Sequence, residues 1–262
     1  AEIIERQAYV FTDRGGEKIV VRPELTPSLA RMVAEKQRQL PPLLRWYSLP
    51  DCWRYERPQK GRSRNFLQLN VDFLGSDTVE SDVEVLDIAL QILRGIGMDM
   101  SQVEVRMNDR RAFDEICTTL NIDASLRGKF LTLLDERGKL SEEEFLQQLQ
   151  AINPDLAVSD LGIVEQMKPS ARLGSIMNAV QGMGWTQLVY DPTLIRGFSY
   201  YTGLVFEVFI TSPDYQRAVF GGGRYDNLLE AVGGAPMSAV GFGVSDVSLF
   251  AALEAQNRTI ET

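Results

Sequence analysis

The sequence contains no histidine. Whatever the fold, these residues cannot use an imidazole as a general base, build a Ser-His triad or bind a metal through imidazole nitrogen. Cysteine is nearly absent too: Cys52 and Cys117 stand alone and far apart, which argues against a zinc site and against a disulfide-stapled extracellular scaffold. No apolar run approaches the roughly 20 residues needed to cross a bilayer, and the N-terminal stretch lacks the basic start and apolar core of a secretion signal. The expectation is a cytoplasmic protein with no membrane segment. Positive charge is in deficit, with 27 Lys and Arg against 36 Asp and Glu for a net charge of -9. Any contact with RNA must therefore be local, because binding phosphates takes clustered cations. What is plentiful is apolar content, 44% of 262 residues, enough for one large domain or one carrying an inserted second.

Against this acidic background Cys52 to Gly75, CWRYERPQKGRSRNFLQLNVDFLG, is the exception. Its loop and flanks hold Arg54, Arg57, Lys60, Arg62 and Arg64 against a single acid, Glu56. Side chains alternate along a strand, so Cys52, Arg54 and Glu56 share one face. Further on, Phe66, Gln68, Asn70 and Asp72 oppose Leu67, Leu69, Val71 and Phe73. Pro58 and Gly61 interrupt the two runs, which predicts a hairpin with a long basic loop. Clustered guanidinium groups suit phosphate oxygens, and an aromatic ring on the same face suits a base. The set points to a nucleotide polyphosphate site, although any one of these arginines alone reads equally well as part of a solvated turn.

The rest of the chain alternates strand and helix signals. AYVFTDRGGEKIVV predicts a hairpin of the Gly-Gly type around Asp13 to Gly16. Thr26-Pro27 opens a helix to about Leu40 with Thr26 as its N-cap. Glu80 to Ile96 carries a core stripe of Val83, Leu86, Leu90 and Leu93 at helical spacing, and Val103 to Met107 is a strand. Residues 112–170 are acidic and helical, with a capping box at Ser141 and Glu144. Leu204, Phe206, Val208 and Ile210 form one face of a strand. Phe220 to Asp226, FGGGRYD, is not a P-loop, since no Gly-Lys-Ser/Thr follows. Its glycines let a strand pass close to a small ligand, with Tyr225 in the pocket wall.

The hairpin resembles motif 2 of class II aminoacyl-tRNA synthetases, and RYERPQKGRSRNF followed by Gln68 is similar to the histidyl-tRNA synthetase form. Arg22-Pro23-Glu24-Leu25-Thr26 resembles that family's Arg-Pro-Glu loop. Arg196-Gly197-Phe198-Ser199-Tyr200-Tyr201 and Phe220 to Asp226 resemble two signatures peculiar to it, and AVGFGVSDVSL resembles motif 3. The resemblance implies an α+β fold, a mostly antiparallel sheet flanked by helices. Residues 1–111 and 171–262 would form the catalytic core and 112–170 a helical insertion near the tRNA acceptor arm. It also implies an ATP-dependent histidine–tRNA ligase that makes histidyl-adenylate, with L-histidine, ATP, Mg²⁺ and tRNA(His) as ligands, in a homodimer. Carried over by residue, Arg54 would bind the α-phosphate, Glu56 the adenine amino group, Phe66 the adenine face and Arg62 the distal phosphates. Arg196 would neutralise charge at the α-phosphate. Glu24, Thr26 and Gln68 would hold the ammonium group, Asp72 and Tyr201 would read the imidazole, and Tyr200 and Tyr225 would complete the histidine pocket.

The pattern also departs from the family. Asp72 stands where Glu is usual, Ser199 where Asp is usual, and Val247-Ser248 where Glu-Arg is usual; that arginine helps hold ATP. Asp246 has the wrong sign to replace it, though it could hold magnesium. These changes leave an alternative, a non-catalytic paralogue that acts as a regulatory or histidine-sensing subunit. Thr26 as a simple cap and Arg196 as a surface residue also stay open. A synthetase for another amino acid fits Tyr200-Tyr201 and Gly223 to Asp226 less well. Neither motif 1 nor an anticodon-binding domain is recognisable, which suggests a catalytic core or a reduced relative.

Overall fold

The computed structural model describes residues 7–137, 140–194 and 201–259, so Arg196 and Tyr200 lie outside the described residues. The first elements, β1 (Tyr9–Thr12) and β2 (Lys18–Val21), pair as an antiparallel ribbon. Its turn is longer than the two-residue Gly-Gly type expected. The Asp13 carboxylate accepts backbone N–H bonds from Gly15 at 2.8 Å and Glu17 at 2.9 Å, a local side-chain turn that outcompetes a tight one. Helix α1 (Thr26–Lys36) starts one residue earlier than expected: Leu25 holds the N-cap position and no side chain caps the helix. Thr26 is thus the first helical residue and not the cap. Pro27 fits the first turn, where its missing N–H has no partner to lose. The helix ends in a 3₁₀ turn over Gln37–Gln39.

The main sheet comprises β3 (Leu44–Ser48), β4 (Asp51–Trp53), β5 (Asn65–Leu74), β6 (Val103–Asp109), β7 (Leu188–Tyr190), β8 (Leu204–Ile210), β9 (Phe220–Arg224) and β10 (Ala239–Ser245). Its order is β3-β5-β10-β9-β8-β6-β7, with β4 also paired to β5. Every pairing is antiparallel except β6 with β7. The fold is therefore α+β with a mostly antiparallel sheet flanked by helices, as expected. At the end of β5 the chain turns through Gly75, whose φ is +95° and where a Cβ would lie 1.8 Å from the Pro42 carbonyl oxygen. Only glycine fits there.

Helix α2 (Val79–Gly95) follows the predicted stripe. Val85, Leu86, Ala89, Leu90 and Leu93 are buried while Val83 is half-buried. Glu80 and Asp82 lie in its first turn and Arg94 in its last, signs that complement the helix dipole. After β6 the chain leaves the sheet through α3 (Arg110–Thr119), α4 (Arg127–Glu136), α5 (Glu142–Ile152) and α6 (Gly162–Glu165), and returns through α7 (Ala171–Gly182). The excursion has an apolar cluster of its own, drawn from Phe113 to Val164 and including the stacked rings of Phe113 and Phe130. Ser141 and Glu144 form the expected capping box. Both crossings are tied to one carboxylate: Asp109 caps α3 through the Arg111 N–H and accepts the hydroxyl of Ser170, which caps α7.

Helices α2, α7 and the final α9 (Asp246–Ala255) share a core with the sheet. Fully burying each leucine of the α2 stripe contributes about 1.5–3 kcal/mol. On β5, Phe73 belongs to that core and Leu69 and Val71 pack against it. Phe66, Gln68, Asn70 and Asp72 then necessarily face the other way. There a smaller cluster joins Leu25, Leu29 and Val33 of the α1 region to Tyr225, Leu229 of α8 (Leu228–Ala231) and Leu74, fixing α1 beside the polar face.

Candidate functional site

Two adjoining cavities open on that polar face. The wider, about 270 Å³, is lined by Arg54, Glu56, Arg62 and Phe66 of the hairpin and, across from them, by Tyr215, Arg217, Ser245 and Ser248. The narrower, about 40 Å³, is lined by Glu24, Thr26, Asn70, Asp72 and Tyr225. Gln68, Tyr201, Gly221 and Gly243 line both. All the described residues expected to meet nucleotide or amino acid are thus brought to one place, with Gln68 and Tyr201, expected at the amino acid, shared between the two cavities.

The hairpin is preorganised. Arg54 Nε donates to the Pro23 carbonyl at 2.9 Å, tying the hairpin to the loop before α1, and its guanidinium lies 5.1 Å from the Phe66 ring centre. Glu56 pairs with Arg62 at 2.7 Å and stands 4.0 Å from Arg54. A carboxylate has about four lone-pair sites, so these pairs leave Glu56 able to accept from a ligand. Cys52 is fully buried behind this wall and its thiol donates to Gln68 Oε1 at 3.5 Å. Burial pushes the Cys52 thiol up, keeping it neutral.

The narrow cavity is acidic. Burial raises the Asp72 carboxyl to about 6, against the pull of Tyr225, whose hydroxyl donates to Asp72 Oδ1. Removal from water raises the Tyr201 phenol, and the carboxylates of Glu24, Asp72 and Glu207 raise it further. Tyr201 is therefore a neutral hydroxyl in a cavity that also presents Glu24 and Asp72. Such a lining suits a small ligand with a cationic group and N–H donors. The Thr26 hydroxyl, which caps nothing, lies in the same lining.

The glycine run also answers to the packing of its neighbouring strands. Gly221 and Gly222 do line the wide cavity, but a Cβ at Gly222 would lie 2.4 Å from the Gly241 carbonyl oxygen and 2.6 Å from Phe242 Cβ. Gly222 is thus required by the neighbouring strand β10, and Gly221 and Gly223 pack closely on β8. Gly222→Ala is expected to cost about 1–3 kcal/mol by overpacking, read as a lower urea midpoint; an unchanged midpoint would refute this account.

Arg224, read as part of a ligand signature, instead turns inward. It is fully buried and bonds Asp82, itself fully buried, through Nε at 2.9 Å and Nη2 at 2.7 Å. It also reaches Ser81 Oγ, the Ser76 carbonyl and Asp226. Asp82 has a second guanidinium partner, Arg172 of α7, at 2.8 Å. Burial pushes the Asp82 carboxyl up and the two arginines pull it back. The network lies immediately behind Tyr225 and Thr202, whose hydroxyl donates to Asp226 at 2.9 Å.

At the motif 3 position Ser245 caps α9, and the hydroxyls of Ser245 and Ser248 are spent on each other and on local backbone. Asp246 is the first residue of α9 and accepts the Val247 N–H. It lines neither cavity. No group of three or more acidic or cysteine side chains suited to a metal occurs among the described residues. Tyr215, Arg217, Asn70 and Asp82 were not singled out from the sequence. Asn70 alone had a signal, its place on the polar face of β5.

A family model described as histidyl-tRNA synthetase matches residues 1–247. Histidine–tRNA ligase of Leptospira biflexa is 34% identical over 273 residues, 98% of this chain and 62% of that protein. The Halobacterium salinarum histidine–tRNA ligase is 37% identical over 279 residues, 97% of this chain and 62% of that protein. The chain thus spans about three fifths of the length of these curated relatives. Among solved structures, a histidine–tRNA ligase subunit from Alicyclobacillus acidocaldarius aligns with a TM-score of 0.71 and 25% identity over 97% of this chain and 82% of that one. A Bacillus halodurans protein, described as ATP phosphoribosyltransferase regulatory subunit/histidyl-tRNA synthetase, aligns with a TM-score of 0.77 and 22% identity over 96% of this chain and 70% of that one. At that identity the second likeness shows the fold alone.

Proposed function

Because this chain belongs to the histidyl-tRNA synthetase family, we propose that it activates L-histidine with ATP and passes the histidyl group to tRNA(His). The observation that carries this reading is the pairing of an acidic narrow cavity with a cationic wide one through Gln68 and Tyr201. Histidine enters the first, with Glu24, Thr26 and Gln68 at its ammonium group and Asp72, Tyr201 and Tyr225 around its imidazole. ATP enters the second as its magnesium complex, with adenine between Phe66 and Glu56, the α-phosphate at Arg54 and the distal phosphates at Arg62. The histidine carboxylate attacks the α-phosphorus, the bond to the bridging oxygen breaks, and pyrophosphate leaves with that electron pair. The carboxylate is already ionised, so no protein base is needed, in keeping with a sequence that has no histidine. Rate comes from positioning and from guanidinium groups aimed at the developing charge. Arg196 completes this set, and Tyr200 the histidine pocket, in the same reading.

We further infer that residues 112–170 form a helical insertion serving the tRNA acceptor arm, that the core is residues 1–111 and 171–262, and that the protein works in the cytoplasm as a homodimer. No helix among the described residues is long and apolar enough to cross a membrane.

One observation favours a second reading, a histidine-binding regulatory paralogue: Ser248 stands at the motif 3 position with its hydroxyl already spent. Histidine-dependent exchange of pyrophosphate into ATP separates the two. Activation predicts exchange that falls roughly a hundredfold in Arg54→Ala, the usual cost of losing one transition-state donor. Histidine binding with no exchange in the wild type would instead establish the paralogue.

A further inference from the structure

The wall of the wide cavity opposite the hairpin is the connection between β8 and β9, and it holds two buried polar atoms that nothing explains. Arg217 Nη1 and the Tyr215 hydroxyl both lack a hydrogen-bond partner among the described residues. Both residues line the cavity. An unsatisfied buried donor costs about 1–3 kcal/mol, and more when charged, so two at one place call for a ligand or a functional reason.

The connection is well anchored. The Thr211 N–H donates to Gln102, Ser212 Oγ donates to the Ala255 carbonyl, and the Val219 N–H donates to Val208 at 2.7 Å. Tyr215 is buried, and its hydroxyl would lie 2.8 Å from a Cβ on Gly61, at the tip of the basic loop. Its phenol is pushed up by burial and pulled back by Arg217 and Arg62, and all three side chains line the wide cavity. The other arginines of the cavity are engaged: Arg54 with the Pro23 carbonyl, Arg62 with Glu56. Arg217 has no ion pair among the described residues and lines the same cavity as Ser245 and Ser248.

We infer that Arg217, with the Tyr215 hydroxyl beside it, forms a phosphate subsite at the loop-tip end of the wide cavity, where it receives the terminal phosphates of a nucleoside triphosphate. This rests on the wide cavity being the nucleotide site. Arg217 then supplies from the β8–β9 connection the cation that Ser248 does not supply from α9. Arg217 and Tyr215 bring unpartnered donors to the anion, in the same lining as Arg62. The arginine offers a planar fork matched to phosphate oxygens and the tyrosine a neutral hydroxyl.

Calorimetric titration of the whole protein with ATP, AMP and inorganic pyrophosphate tests this. Arg217→Ala is expected to weaken ATP and pyrophosphate roughly ten- to hundredfold, the range for losing a hydrogen bond to a charged group, with AMP and histidine changed less than about twofold. Arg217→Lys, which keeps the charge without the fork, and Tyr215→Phe should each weaken ATP several-fold; they carry the test if the alanine variant does not bind histidine and so has not folded. Equal weakening of ATP and AMP, or ATP affinity unchanged in the variants, overturns the subsite while the nucleotide reading stands. Pyrophosphate binding that depends on Arg217 in a wild type that takes neither ATP nor AMP keeps the anion subsite and overturns the nucleotide reading. A wild type that binds none of the three overturns both.

Discussion

Asp82→Ala is expected to destabilise the protein by about 3–5 kcal/mol, the cost of removing one partner from a buried ion pair. Asp82 and Arg224 are both fully buried and joined by two charge-assisted bonds. Removing the carboxylate leaves a buried guanidinium whose remaining acidic partners, Asp226 at 3.1 Å and the exposed Asp77 at 3.6 Å, reach only Nη1. The loss is set by that stranded charge more than by the energy of the pair. Adding Arg224→Met in the same chain should therefore recover part of it, because replacing both ions with apolar groups is often neutral. Urea midpoints at constant slope measure both variants. A double variant less stable than Asp82→Ala would show that the network acts through geometry rather than charge. Since Arg224 immediately precedes Tyr225 and Asp226 holds Thr202, Asp82→Ala should also weaken histidine binding.

Asp72→Asn is expected to act in the opposite sense, stabilising the fold while impairing the site. The Asp72 carboxyl moves from 3.8 to about 6 on burial, so the folded state binds its proton more tightly than the unfolded state does. The stability this group contributes is therefore complete below about 3.8 and lost as pH rises through about 6. The shift is worth about 3 kcal/mol at 1.36 kcal/mol per unit. Asparagine never ionises and still accepts from Tyr225. At pH 7.5 the variant should be more stable than wild type by up to that amount, with the gap closing between pH 6 and 4. Histidine affinity at pH 7.5 should fall roughly ten- to hundredfold through loss of a charged acceptor. Parallel pH profiles for the two proteins would show that Asp72 is not the titrating group. On the proposed function, the ionised carboxylate is a local weakness kept for a ligand, a trade common at functional sites.

The polar face of β5 was legible because strand alternation is a local property: Gln68, Asn70 and Asp72 follow from spacing alone once Leu69, Val71 and Phe73 are assigned to the core. The stripe on α2 was legible for the same reason. Thr26 was misplaced by one residue because Pro27 suits either of the first helical positions, and only the backbone decides. The inward turn of Arg224 had no local signal, since Asp82 lies 142 residues away and the adjacent glycines drew the reading toward a ligand. Arg217 and Tyr215 lie in a connection with no periodicity. Their importance appears only when the hairpin loop is folded against them.

Asp109 ties down both ends of the excursion that runs through α3 to α6. To the sheet, that excursion is a single closed loop whose mouth is already shut. Enlarging such a loop is thermodynamically mild, about 0.6 kcal/mol for each doubling of its length. The pairing of β6 with β8, which spans it from Asp109 to Leu204, is indifferent to what hangs outside. Changing the length of this appendage should therefore leave the geometry of the two cavities on the polar face unchanged.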